Sequence, residues 1–204
     1  MQTSEDLQLQ LALNTDLISA FYPLLQRGVW LPVTTGCSLM KLLNNQLGIA
    51  EAYVTDRITT LFLDGRAIDD AATSFVRNES TLALSSAMPG LVGSTMRRGG
   101  HLAAMRGEIT YQQTQEISIG AGKIKVKLFN MLMKEVGPLL LERGIFLSGT
   151  ELMTLLEDET SSLKDGCTSV VLNNQTCLCA ELREKLLTSL EPQQTVVVKV
   201  IWQN

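Results

Sequence analysis

With 204 residues, 17 Lys and Arg against 21 Asp and Glu, and a formal charge of −4, the chain has the size of one large or two modest domains and no basic excess. That balance excludes a general nucleic-acid binder, which needs Lys and Arg to neutralise phosphates. One histidine excludes a multi-histidine metal centre, and four cysteines without a C-x2-C pair point to structural thiols rather than a zinc or redox site.

The start, Met1-Gln2-Thr3-Ser4-Glu5-Asp6, is polar and acidic and lacks the basic and apolar regions of a secretory signal. No apolar run reaches the roughly 20 residues that cross a bilayer. The richest stretch, Val136 to Leu147, is interrupted by Glu142 and Arg143. These features predict a cytoplasmic protein without membrane association, and Cys37, Cys167, Cys177 and Cys179 suit a reducing compartment.

Leu7, Leu9 and Leu11 alternate with Gln8 and Gln10, the period of a half-buried strand. A helical segment is expected from about Leu17 to Arg27 and a strand from Val29 to Val33. Ser38 is placed to cap a helix reaching Leu47. Ile58 to Leu63 reads as a strand ending at Asp64-Gly65, a strong hairpin signal, and Thr81 to Leu84 as the last strand of this half. Asp69-Asp70 falls in a loop, where acids are common.

Ser85 to Glu116 is a long connection, and connections beyond about 12 to 15 residues are usually functional or disordered. It sets Arg97, Arg98, His101 and Arg106 beside Gly90, Gly93, Gly99 and Gly100 in an otherwise acidic chain. Three readings stand: a guanidinium and backbone N–H site for an anion, a protein contact, or a structural connector. No phosphate-binding glycine fingerprint accompanies it. His101, the single histidine, reads as solvent-exposed more readily than catalytic.

The second half is cleaner. Lys123-Ile124-Lys125-Val126-Lys127-Leu128 alternates strictly and predicts a strand with a basic stripe, either a solvated, edge-protecting face or a docking surface for an acidic partner. Leu132, Val136, Leu139 and Leu140 recur at helical spacing from Met131 to Arg143, and Gly144 stops that helix. Ile145 to Leu147 is a short strand, and Ser148 or Thr150 is available to cap a helix ending at Glu157, with Glu157-Asp158-Glu159 at its end. Thr168 to Leu172, the turn Asn173-Asn174 and Thr176 to Leu178 form an expected hairpin, and Thr195 to Ile201 is a β-branched closing strand.

The two halves repeat one another. Leu24-Leu25-Gln26-Arg27-Gly28-Val29-Trp30-Leu31 matches Leu140-Leu141-Glu142-Arg143-Gly144-Ile145-Phe146-Leu147. Leu39 to Leu43, Thr59 to Leu63 and Thr81 to Leu84 match Leu152 to Leu156, Thr168 to Leu172 and Thr195 to Val198. Trp30 and Phe146 hold equivalent places, which predicts core packing for both. The repeat divides the chain into 1–86, a connection 87–116, and 117–204.

Two strands, a helix, a strand pair and a final strand in about 80 residues resemble the β-grasp, ubiquitin-like fold. Ile124 to Asn130, Phe62 to Arg66 and Asn78 to Leu84 are similar to the first strand, the hairpin and the entry to the last strand of its sulfur-carrier branch, the small molybdopterin-synthase subunit and the thiamine-pathway carrier. The resemblance implies an α+β protein of two tandem β-grasp domains from an internal duplication. It also implies a working carboxyl-terminal Gly-Gly tail that is adenylated and carries sulfur. The chain closes instead on Ile201-Trp202-Gln203-Asn204. Pro89, Gly90 and Gly93 are similar to a carrier tail but internal, and cleavage after Gly93 or Gly100 would be needed to free a carboxylate.

No catalytic residue, cofactor or metal is assigned from this inventory, and the expected function is a noncatalytic protein-binding or adaptor module with a protein partner. Arg97, Arg98, Gly99, Gly100, His101 and Arg106 are its candidate contact residues. The alternatives are an accessory role in sulfur-carrier or cofactor metabolism, and a small-anion or enzyme site between the domains.

Overall fold

The computed structural model describes residues 6–109, 118–158 and 165–203. β1 (Leu7–Asn14) buries Leu7, Leu9, Leu11 and Leu13, as its alternation predicts. A 3-10 stretch, Thr15–Phe21, and α1 (Tyr22–Arg27) follow, and Gly28, at φ +105, turns the chain into β2 (Val29–Thr35). The Ser38 side chain accepts the Lys41 N–H at 3.4 Å and opens α2 (Leu39–Lys41), which continues as a π turn over Leu42–Gln46. α3 (Glu51–Asp56) has one buried residue, Val54, too few for periodicity to reveal it.

β3 (Thr60–Leu63) and β4 (Arg66–Ala67) turn through Asp64 and Gly65, both at positive φ as a type I′ hairpin requires. After β5 (Thr81–Ser85) come α4 (Gly90–Met96) and a 3-10 stretch, Ala103–Ile109, inside the long connection; its residues 110–116 lie outside the described residues. β6 (Gly120–Phe129) is longer than its lysine alternation. The helix expected over 131–143 is two, α5 (Leu132–Glu135) and α6 (Gly137–Arg143), because Pro138 has no N–H to continue the ladder.

β7 (Ile145–Ser148) leads into α7 (Gly149–Asp158), capped by Ser148; Glu159 of the acidic run lies outside the described residues. β8 (Cys167–Leu172) and β9 (Gln175–Cys177) turn through Asn173 and Asn174, both at positive φ. α8 (Cys179–Ser189), which the sequence pattern misses, buries only Leu182 and Leu186, and β10 (Thr195–Gln203) closes the chain.

The elements form an α+β protein, but the first strand of each sequence half, β1 and β6, pairs with strands of the other half. The chain groups into two compact units, Leu24–Leu139 and Met1–Pro23 with Leu140–Asn204. In the first, β6 runs antiparallel to β2 (Val29 opposite Val126) and parallel to β5 (Leu82 opposite Val126), with β3 and β4 beyond. In the second, β1 runs parallel to β10 (Leu9 opposite Val198) and antiparallel to β8 (Leu11 opposite Val170), with β7 flanking β10 and β9 flanking β8. The leading strand of each half is therefore lodged among the strands of the other. The boundaries at 86 and 117 follow the repeat, whereas contacts follow this exchange. It is physically permitted because β1 and β6 share one period-two pattern and present interchangeable backbone ladders.

Two expectations about side chains are corrected. Trp30 and Phe146 are half-buried on the solvent sides of β2 and β7, because each alternates with buried neighbours: Val29 and Leu31, Ile145 and Leu147. Cys167 and Cys179 are not free thiols but a disulfide, since the β8–β9 hairpin returns Cys179 to the start of β8 with the Cα atoms 6.3 Å apart. Cys37 and Cys177 are free. Among the described residues no helix is long and apolar enough to cross a membrane.

Candidate functional site

Residues 89–106 of the arginine-glycine segment are held by turns of their own and by bonds to α3, Thr59 and Asp69. Pro89 precedes α4, Gly90 opens it at φ +76, and a Cβ on Gly93 would overlap the Met88 carbonyl oxygen. Gly99 turns the chain at φ +63, and the Gly100 N–H donates to the Arg97 carbonyl at 3.2 Å. The Arg98 N–H donates to the Thr59 carbonyl at 2.9 Å, and its guanidinium donates to the carbonyls of Val54 at 2.7 Å and Thr55 at 3.1 Å in the last turn of α3. Burial pushes the Arg98 pKa down, opposed by Asp69 and Asp70.

Arg106 is buried at 3% exposure and donates from Nη2 to the Asp69 carboxylate, while its Nε and Nη1 have no hydrogen-bond partner among the described residues. Arg97 and His101 face solvent. The structure thus gathers two sequence candidates, Arg98 and Arg106, around the Asp69-Asp70 loop. Their charges serve the chain's own carbonyls and carboxylate, and the other two are directed to water.

A second polar cluster ties α3 to α5. The Tyr53 hydroxyl donates to Glu135 Oε2, and Arg57 donates to Glu135 Oε1 at 2.8 Å. Burial first, and then the neighbouring carboxylate, push the Tyr53 pKa up to about 12. The hydrogen bond from Tyr53 and the Arg57 guanidinium hold Glu135 below the usual carboxylate range despite some desolvation. A neutral phenol clamped to an ionised carboxylate is a fastening between helices, not a proton shuttle near neutral pH.

The third cluster is the solvent face of the sheet containing β6. Lys123, Lys125 and Lys127 rise from one side of that strand. The stems of Lys125 and Lys127 cover Gly28, where a Cβ would stand 2.9 and 2.8 Å from their Cγ atoms. The ammonium groups of Lys123 and Lys125 each lie 5.0 Å from the centre of the Trp30 ring, and Lys123 also stands 3.6 Å from Glu79.

Lys127 instead lines a depression of about 620 Å³ with Phe62, Ala83 and Phe129 on the strands and Met88 and Pro89 forming a wall. Asn130, at φ +59, braces that wall by donating to the Ser85 hydroxyl at 3.0 Å and to the Ala87 carbonyl. Among the described residues, Lys127 is the one charged residue of this lining. The wall leads into α4, whose Leu91 and Val92 are 73% and 60% exposed, and Met88 itself is 39% exposed. Of the residues singled out in the sequence, Pro89 belongs to this site. The lysine alternation was its visible signal, while Phe62, Ala83 and Met88 join it only through strand pairing.

In the other unit a cavity of about 470 Å³ is lined by Leu11, Leu13, Leu156 and Leu182, with the Cys167–Cys179 disulfide and the Glu157–Arg183 pair, 3.5 Å apart, also in its lining. Among the described residues no group of three or more His, Cys, Asp or Glu could hold a metal ion. No protein-family description, no curated protein and no solved structure matches this chain.

Proposed function

We propose that the protein is a noncatalytic protein-binding module, docking a partner on the solvent face of β3, β5 and β6. The observation that carries this reading is the apolar depression over Phe62, Ala83 and Phe129, continued by the exposed Met88, Leu91 and Val92. An apolar centre bordered by polar side chains is the usual anatomy of a protein contact, and contiguous exposed apolar surface is costly to keep without use.

The strand order β2-β6-β5-β3-β4, with β6 antiparallel to β2 and parallel to β5, supports reading this unit as a β-grasp whose first strand comes from the second sequence half. A relation to sulfur carriers rests on that order alone. Gly93, the tail-like glycine, is packed inside α4.

The test is Ala83→Arg, which fills the depression from its floor. The variant should keep the thermal unfolding of the parent and lose the stoichiometric partner that accompanies the parent on gentle purification from its native cells. A partner retained by the folded variant would place docking elsewhere.

A further inference from the structure

We infer that the segment docked on this face is extended and acidic, with one apolar anchor in the depression and carboxylates at alternate positions along the β6 lysines; the inference rests on the docking reading above. Three observations lead to it. The charge lining the depression is Lys127, which has no ion-pair or ring partner among the described residues, whereas Lys123 is engaged by Glu79 and Trp30 and Lys125 by Trp30. A positive charge left without a partner beside an apolar floor is electrostatically suited to an anionic neighbour.

The lysines also recur at every second residue of one strand, a step of roughly 6.6 to 6.8 Å. Same-side groups of another extended segment repeat at that step, so carboxylates two and four residues from the anchor face Lys127 and Lys125 in register. Finally, the wall at Met88 and Pro89 is braced by Asn130, so the anchor enters a formed recess between the wall and Phe129 rather than a flat sheet. The row of Phe62, Ala83 and Lys127, set by the pairing of Phe62 with Ala83 and of Ala83 with Lys127, puts the Lys127 charge at the edge of the apolar floor, one step along β6 from the recess beside Phe129.

The probe is a fluorescein-labelled synthetic peptide containing Leu-Thr-Glu-Thr-Glu, compared with Leu-Thr-Lys-Thr-Lys and Ala-Thr-Glu-Thr-Glu, titrated with the full-length protein and followed by fluorescence polarisation. The acidic peptide with leucine should bind more tightly than either control, by at least about tenfold, and weaken as salt is raised. Lys127→Glu should weaken it at least about tenfold and Ala83→Arg should abolish it, with thermal unfolding unchanged in both. Lys199→Glu, on exposed β10 surface, should leave binding as it is. Equal binding of the basic peptide, or indifference to Lys127→Glu, overturns the inference. Absence of peptide binding while Ala83→Arg still releases the native partner overturns it too, and leaves the docking reading standing; retention of that partner by Ala83→Arg overturns the docking reading itself.

Discussion

Asp69 is 42% exposed, while the Arg106 side chain it accepts from is fully enclosed, and that inequality gives the two ends of one ion pair different weights. Removing the carboxylate leaves a buried guanidinium with no partner among the described residues at any nitrogen, since Nε and Nη1 already lack one there. Removing the guanidinium leaves a carboxylate that water can reach. Asp69→Ala should therefore destabilise by about 3 kcal/mol. Arg106→Met, which keeps an apolar stem in place, should cost under about 1 kcal/mol. Urea denaturation of both variants decides the matter, and equal losses would mean that the pair contributes by attraction rather than by satisfying a buried charge. The same residues explain why an anion site stands among the three readings of the segment around Arg97 and Arg98: residue type announces charge, while direction is set by neighbours such as the α3 carbonyls.

At the scale of elements, short helices depend on their ends. α7 begins with a reciprocal capping box: Ser148 Oγ accepts the Glu151 N–H at 3.2 Å, and Glu151 Oε2 accepts the Ser148 N–H at 2.9 Å. Ser148→Ala should lower stability by about 1 kcal/mol, measured by thermal unfolding, while Thr150→Ala should cost less. Thr150 lies beyond the cap, and its hydroxyl donates to the Pro192 carbonyl. A larger loss at Thr150 would place the cap there. The period-two elements β1 and β6 are legible in sequence because alternation is local, and β10 because β-branched residues run through it. α3 and α8 are not, because helices that bury one or two residues carry almost no periodic signal.

For the whole molecule, the exchange of β1 and β6 makes each sequence half dependent on the other. Residues 1–117 alone lack the strand that separates β2 from β5, and residues 118–204 alone lack the strand that separates β10 from β8. Each fragment would leave central backbone ladders unpaired, which no compensating edge can satisfy. The two fragments expressed separately should give no cooperative unfolding transition, and mixing them should restore one, read by circular dichroism. Two independently folding fragments would show that within-half pairing is also stable.

By itself the sequence determined the alternation of β1 and β6, the positive-φ turns at Asp64-Gly65 and Asn173-Asn174, the Ser148 cap option and the lysine stripe, because steric preference and periodicity act over a few residues. The tertiary structure decided which strand accepts β6, that Trp30 faces the lysines, that Cys167 meets Cys179, and that Lys127 overlooks an apolar recess. Those outcomes depend on segments distant in the chain choosing among interchangeable strand partners. Cooperative burial makes that choice, and no local pattern encodes it.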